Sequence, residues 1–574
     1  MKKNLLFLVC LLFTMEVFSQ FNLQFHYSER NPEAERILRN IKTKKKYTDY
    51  SSVEKELQKI VTIFHQQHYL SFSIDSIHLD SSVYHAYLFF GKPLLIEGIK
   101  VEGMSEAIKN NLKIPSPPLS MQDVYDFCET TISYLENNGY PFASARFEGF
   151  EQDSLKTYAK LSVTMNPYIV WDSIIVKGNA KIAKSFLYAY FDIKKGKMYK
   201  ETTVQQIPDL IQSLSYVEET QAGSVSFSKE KAALYVYLNK RNTNQFDGFL
   251  GVIPESTKSG KTLITGNINL LLNNTMTLGE RISLRWKTPD NLTQNLDIEL
   301  TFPYLFYTRF GLDLSFHLQK TDTSYLQLNF SPGLQYYFHG TNYIKLYYQY
   351  NNTRLIATKH LLEIIALPEH IDFDLHLYGL EVFYRKLDYV FNPRKGYSLL
   401  ASAAIGNRNI IINNNIPKEL YADIEQNTFH IKSMADVSLY LPIKRRWTWM
   451  NRLQGAYLHG KNLFENELFR LGGSNTLRGF IEQSMYASSY ALFTTEIRFL
   501  FSKNSYINAF FDAGWYEKKY KGTYLHDFPF GFGLGTAFDT KAGIFSLNYA
   551  LGRQMNNPIR LKTGVVSFGY VALF

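Results

Sequence analysis

Gly311-Leu312-Asp313-Leu314-Ser315-Phe316-His317-Leu318-Gln319 alternates without a break. Leu312, Leu314, Phe316 and Leu318 share one face, while Asp313, Ser315, His317 and Gln319 share the other. A period of two is the pattern of a β-strand with one apolar and one polar side. Arg281-Ile282-Ser283-Leu284-Arg285-Trp286-Lys287 repeats it, as does most of the chain from Thr243 onward. A soluble sandwich alternates as well, so the number of strands decides more than any one of them. About sixteen candidate strands fit into roughly 330 residues, and a bilayer-spanning strand takes ~9–11 residues. The expectation is a 16-stranded antiparallel transmembrane β-barrel over residues 242–574, because closure leaves no edge exposed to lipid.

Composition agrees. The 574 residues are too many for one ordinary domain, and 16% of them are aromatic, with 41 Tyr and 43 Phe. Membrane barrels spend such rings on two interfacial girdles. A mean hydropathy of −0.20 argues against a helical membrane bundle. Lys2 and Lys3, the apolar stretch Leu5 to Phe13 and the segment Val17-Phe18-Ser19-Gln20 read as a signal peptide over residues 1–19. Its removal takes Cys10 and leaves Cys128, so neither an internal disulfide nor a cysteine metal site is expected. The formal charge is +10, and Lys42, Lys44, Lys45 and Lys46 form a basic run. A solvated face is its first reading and contact with anionic head groups its second. Nothing resembles a nucleic-acid module.

Between the signal and the barrel, helical and strand patterns mix in a loose repeat. One unit, 94–166, opens on Ile96 to Gly103, runs through a helical pattern from Val124 to Asn138, and turns at Gly139-Tyr140-Pro141. Two strands close it, near Ala145 to Phe150 and Lys156 to Met165. The next unit, 167–241, opens on Ile169 to Asn179 and follows the same order. A weaker copy, 20–93, has a helix from Val53 to His68 and a strand from Val83 to Phe90, and reads as degenerate. Strand, helix, helix, strand, strand resembles a POTRA domain, with the likeness carried by Val101-Glu102-Gly103, Val176-Lys177-Gly178-Asn179 and Asn138-Gly139-Tyr140. Such units imply sheet edges able to accept an extended partner.

A long connection, 458–486, separates the eleventh candidate strand (Trp447 to Tyr457) from the twelfth (Ser488 to Phe501). It contains Phe469-Arg470-Leu471-Gly472-Gly473-Ser474-Asn475-Thr476-Leu477-Arg478-Gly479-Phe480. Gly472 and Gly473 permit a sharp bend. Leu477-Arg478-Gly479-Phe480 resembles the loop motif of the Omp85 superfamily, whose sixth extracellular loop folds into the lumen. Phe510-Phe511-Asp512-Ala513-Gly514 resembles that family's motif on the thirteenth strand. An arginine inside a barrel needs acidic partners, and alternation places Glu496, Arg498, Phe510, Asp512 and Gly514 on the interior face. The resemblance implies that Arg478 pairs with Asp512 and Glu496 while Phe510 stacks on its guanidinium. Phe391-Asn392-Pro393-Arg394-Lys395-Gly396 is similar to a family turn, and Gly531, Gly533, Gly535 and the run Gly543 to Ala550 to its penultimate strands. The terminal strand, with Phe568, Tyr570 and Phe574, resembles the signal by which barrels are recognised for assembly.

The resemblance implies an outer-membrane assembly factor with a periplasmic arm, closest in layout to the TamA branch. Its partners would be unfolded outer-membrane or secreted clients, membrane lipid, and a periplasmic or inner-membrane accessory protein. A dedicated two-partner-type secretion translocator is the alternative, and a passive porin or receptor the next. No enzyme, cofactor or metal is expected. Gly531-x-Gly-x-Gly535 lacks the strand-turn-helix setting of a dinucleotide loop. His65-x-x-His68 has no cysteine or acidic cluster to complete a metal site, and no Gly-x-Ser-x-Gly elbow occurs. The barrel is expected to part between its first strand, Phe246 to Ile253, and its last, Val565 to Phe574.

Overall fold

The computed structural model describes residues 21–44, 46–153, 156–254, 262–288, 293–322, 324–521, 523–540, 543–555 and 559–573. The expected signal peptide, Lys45 and Phe574 lie outside them. The chain forms two compact units. One holds the residues up to Val170 with Lys197–Thr202 and Ser228–Lys231; the other holds Trp171–Gly196, Thr203–Phe227 and Ala232–Phe574.

The first unit contains two repeats. β1 (Asn22–Tyr27), α1 (Pro32–Asn40), α2 (Tyr50–Gln66), β2 (Ser73–Asp80) and β3 (Val83–Phe89) form one. β4 (Ile96–Glu102), α3 (Glu106–Lys109), α4 (Met121–Glu136), β5 (Ser144–Asp153) and β6 (Lys156–Thr164) form the next. Each sheet is three-stranded, in the orders β1-β3-β2 and β4-β6-β5. Val53, Leu57, Ile60 and Phe64 are buried at helical spacing on α2, and Phe64 stacks on Phe72 with centroids 4.1 Å apart. The first repeat is therefore complete, which corrects its reading as degenerate. β1 alternates with polar Asn22, Gln24 and His26 and joins the sheet parallel to β3. Its strand character comes from that tertiary pairing, which local sequence does not advertise.

The second unit begins with the third repeat: β7 (Val170–Lys177), α5 (Lys184–Tyr190), α6 (Glu201–Ser213), β8 (Val217–Ser228) and β9 (Lys231–Lys240), in the sheet order β7-β9-β8. The sequence reading separates arm from barrel at residue 241, whereas most of this repeat is one body with the barrel. The Ala183 N–H donates to the Thr277 carbonyl at 2.7 Å. Tyr304 packs edge-on to Tyr190 and stacks on Tyr337, and Arg309 pairs with Asp192 at 2.8 Å.

The barrel strands are β10 (Gln245–Pro254), β11 (Thr262–Asn273), β12 (Arg281–Thr288), β13 (Gln294–Phe302), β14 (Phe310–Thr321), β15 (Tyr325–His339), β16 (Asn342–Leu355), β17 (Phe373–Leu387), β18 (Gly396–Ile410), β19 (Asn427–Lys444) and β20 (Trp447–His459). A loop hairpin, β21 (Phe469–Leu471) and β22 (Met485–Ala487), comes next. β23 (Ser489–Leu500), β24 (Tyr506–Tyr520), β25 (Thr523–Asp527), β26 (Phe530–Thr540), β27 (Gly543–Arg553) and β28 (Val565–Leu573) complete the closed sheet. β25 and β26 occupy one position, pairing with the two halves of β24 on either side of Phe528-Pro529. Pro529 has no N–H for the ladder, so the strand breaks there. The barrel therefore has sixteen antiparallel positions.

Alternation sets the faces. Leu334, Leu346, Ile405, Leu453, Phe493 and Leu534 are exposed on the outside. The interior is polar and internally paired: Lys345 bridges Asp313 and Glu381, each at 3.0 Å. The longest connections, 356–372, 411–426 and 460–488, all lie at the end away from the third repeat. Exposed aromatics mark both ends, with Phe310, Tyr397, Trp447 and Phe501 near the third repeat and Phe429, Tyr457 and Tyr524 at the other. No helix among the described residues is long and apolar enough to cross a membrane.

Candidate functional site

The connection between β20 and β23 turns inward. Leu471, Leu477, Met485 and Ala487 are buried with Leu492 and Tyr516 of the wall, which seats the β21–β22 hairpin against the barrel. Gly472 and Gly473 have φ of +107° and +96°, values that side chains rarely tolerate, and make the bend that aims the tip. The Gly472 N–H donates to Thr476 Oγ1 at 2.9 Å, closing the turn just before Arg478.

Arg478 meets both expected acids. Its Nε and Nη2 donate to the two oxygens of Asp512, at 2.8 and 2.7 Å, in a bidentate fork. Its Nη1 donates to Glu496 Oε2 at 3.0 Å, and its backbone N–H adds a bond to Asp512 Oδ2 at 3.1 Å. The guanidinium carbon lies 3.4 Å from the Phe510 ring centroid, so the fork is stacked on one face as well as paired. Asp512 is 1% and Glu496 3% exposed, which makes the interior dry enough for each hydrogen bond to count. Thr494 pairs in register with Asp512 and Glu496 with Phe510, so the two acids sit diagonally across neighbouring strands. Arg498 does not touch Arg478; it holds the other oxygen of Glu496 at 2.7 Å and reaches Asn392 at 3.2 Å.

The far side of the loop lies on bare backbone. A Cβ at Gly531 would sit 2.1 Å from the Arg478 carbonyl oxygen, and one at Gly552 would sit 2.6 Å from that of Gly479. The glycines of β26 and β27 thus let two backbones meet where side chains would hold them apart. Gly514 leaves similar room beside Leu477 and Leu492. The Phe480 ring packs over Gly552. The tip is also tied to β20, where Arg452 donates to the Asn475 carbonyl at 3.3 Å, and to β12, where Lys287 reaches Glu482 at 2.6 Å. Of the C-terminal residues, Phe568 is exposed on the outer face and Tyr570 packs on Phe545 at 4.6 Å.

One anchor escapes the sequence reading. Arg408 of β18 is fully buried and donates to Glu467 at 2.7 Å, to the Asn462 carbonyl at 3.0 Å and to the Lys461 carbonyl at 3.1 Å. Glu467 also accepts the Phe464 N–H at 2.8 Å. This fixes the root of the same loop. Arg408 sits in an ordinary alternating strand, and nothing local announces a partner so far along the chain.

Residues 274–570 match the Omp85 superfamily domain. The chain belongs to the Omp85 superfamily. Membership implies a bacterial outer-membrane protein. No curated protein matches the sequence. Among solved structures, CdiB from Escherichia coli is similar with a TM-score of 0.55 at 14% identity, over 91% of this chain and 98% of that one. CdiB from Acinetobacter baumannii gives 0.54 at 15% identity, over 94% and 98%. BamA from Haemophilus ducreyi lacking POTRA domains 1–3 gives 0.42 at 16% identity, over 84% and 100%. At such identities the likeness to CdiB is one of fold.

Proposed function

We propose that this Omp85 protein is an outer-membrane assembly factor that receives unfolded clients on its POTRA-like repeats in the periplasm and releases them through a barrel that opens sideways. The observation that carries this reading is the seam. β10 runs beside β11 from Gln245 to Pro254, and β27 beside β28 from Ile544 to Ala550. β10 and β28 are joined only through Gln245–Leu573 and Phe246–Ala572 among the described residues. Unpaired backbone in a bilayer is costly, so the free lengths of β10 and β28 favour any strand that completes their ladders. A client hairpin supplies such strands, and its own folding supplies the driving force; the reading is non-catalytic. The Arg478 anchor holds the inward loop and keeps the barrel in a competent state while the seam exchanges.

A second reading, a dedicated two-partner-type translocator, draws support from the nearly full-length fold match to CdiB. Depletion separates the two. The assembly reading expects several outer-membrane proteins to fall together in a quantitative proteome. An unchanged membrane proteome with one secreted protein missing would sink it in favour of the translocator.

A further inference from the structure

At the end of the barrel that carries the third repeat, a cavity of about 650 Å³ opens between that repeat and three barrel turns. Pro208, Ile211 and Val217 form its apolar wall on the repeat. Its cations arrive from separate segments: Arg394 on the β17–β18 turn, Arg445 and Arg446 on the β19–β20 turn, Lys503 on the β23–β24 turn, and Arg241 after β9. Three acids line it too, and each is engaged within the protein. Glu218 lies 3.9 Å from Arg241, Glu219 accepts the Gly223 N–H at 3.1 Å, and Asp388 accepts the N–H groups of Arg394 and Lys395 at 2.9 and 3.1 Å. Among the described residues no carboxylate comes within 4.0 Å of the Arg394, Arg445, Arg446 or Lys503 side-chain nitrogens. Arg394 Nη2 donates to the Arg445 carbonyl, while its Nε is buried without an acceptor among those residues. Five cations thus face three carboxylates in one lining, an excess of positive charge that an anion relieves.

The neighbourhood says which anion. Leu500 and Phe501 line the same cavity. Phe501 is in edge contact with Phe499, whose ring lies 5.0 Å from Trp447. Trp447, Phe501, Ile443 and Leu441 are all exposed on the outer face of the strands that lead into these turns. Aromatics at strand ends mark the bilayer interface, so the cations stand at head-group depth with apolar surface directly beside them. We propose that this cavity binds an anionic phospholipid of the adjoining leaflet, its phosphate among Arg394, Arg445, Arg446 and Lys503 and its acyl chains along Phe501 and Trp447. A lipid held there touches the third repeat and the barrel at once.

The test uses the full-length protein in nonionic detergent, titrated with phosphatidylglycerol or phosphatidylcholine, with bound lipids counted by native mass spectrometry. One phosphatidylglycerol should be retained with a preference of roughly tenfold or more over phosphatidylcholine. The variant R394Q/R445Q/R446Q/K503Q should lose that preference, while K359Q/K418Q, which removes exposed charges at the far end, should keep it. Equal retention of the two lipids by the unaltered protein overturns the proposal whether or not any variant folds. So does a preference that survives the fourfold change or disappears in the far-end control. Inorganic phosphate at millimolar concentration should fail to displace the lipid; displacement would mean a small-anion site and would overturn the lipid assignment.

Discussion

Arg478 is held by geometry that only a guanidinium satisfies. Its fork spans both oxygens of Asp512 while a third nitrogen reaches Glu496, so a lysine would keep the charge and lose the fit. Arg478→Ala leaves Asp512 and Glu496 buried with less cation, and should cost about 3–5 kcal/mol. Asp512→Ala should cost less, since Arg478 keeps Glu496, and the two changes together should fall short of their sum. Urea unfolding of the detergent-solubilised barrel reads all three; strict additivity would argue against a coupled pair. The second anchor makes its own forecast. Glu467→Gln keeps shape and removes charge beside a fully buried Arg408, and should cost about 1.5–3 kcal/mol. Hydrogen exchange should then quicken across residues 460–468 while the Arg478 contact stays protected.

Elements differ in how openly their sequences declare them. α4 begins with Ser120 and Asp123 capping each other: Ser120 Oγ accepts the Asp123 N–H at 3.2 Å, and Asp123 Oδ2 accepts the Ser120 N–H at 2.8 Å. The bonds from the Ser120 hydroxyl and N–H hold the Asp123 carboxyl below the usual carboxylate range. A depressed folded-state value means that this stabilisation is present above about pH 4 and is lost as pH falls further. Ser120→Ala should cost about 1 kcal/mol at neutral pH, seen as faster exchange of α4 amides, and the gap should narrow near pH 3. A gap of constant size through that range would sever cap from carboxylate. Such caps, and the alternation of β14 or β24, are visible in the sequence because they are local. β1 was hidden because its polar residues reveal a strand only once β3 lies beside it. Arg408 was hidden because its partner lies in a distant loop. Arg478 was legible because its loop motif resembles that of the family, which implied the pairing, and because the parity of the adjacent strands put both acids on the interior face.

For the whole molecule the question is which part of the wall moves. The register that opposes Phe246 to Ala572 offers a test. A Phe246→Cys/Ala572→Cys pair, with Cys128 buried in the second repeat, should form a disulfide that stops client insertion until reductant is added. Normal function of the oxidised form would remove sideways opening from the mechanism. The strand count and closure were readable from alternation, whereas the weakness of one seam among sixteen was not, because pairing depends on both edges at once. The inward loop bears on how that seam would yield under the proposed opening. On one side of the opening it is bonded to Asp512 and pressed on the bare backbone of β26 and β27. On the leaf made of β10 to β12 the described tie is Lys287 to Glu482, whose side chains are 42% and 54% exposed, a bond of about 1 kcal/mol or less. Farther round, Arg470 of the loop donates to Thr321 Oγ1 and to the Tyr325 hydroxyl on β14 and β15. The two sides of the doorway are therefore unequal. The loop is fastened to one jamb, as a bolt is fixed to its frame, and only its end rests in the other. Under the proposed sideways opening, the leaf made of β10 to β12 should swing free while the bolt stays with the C-terminal strands.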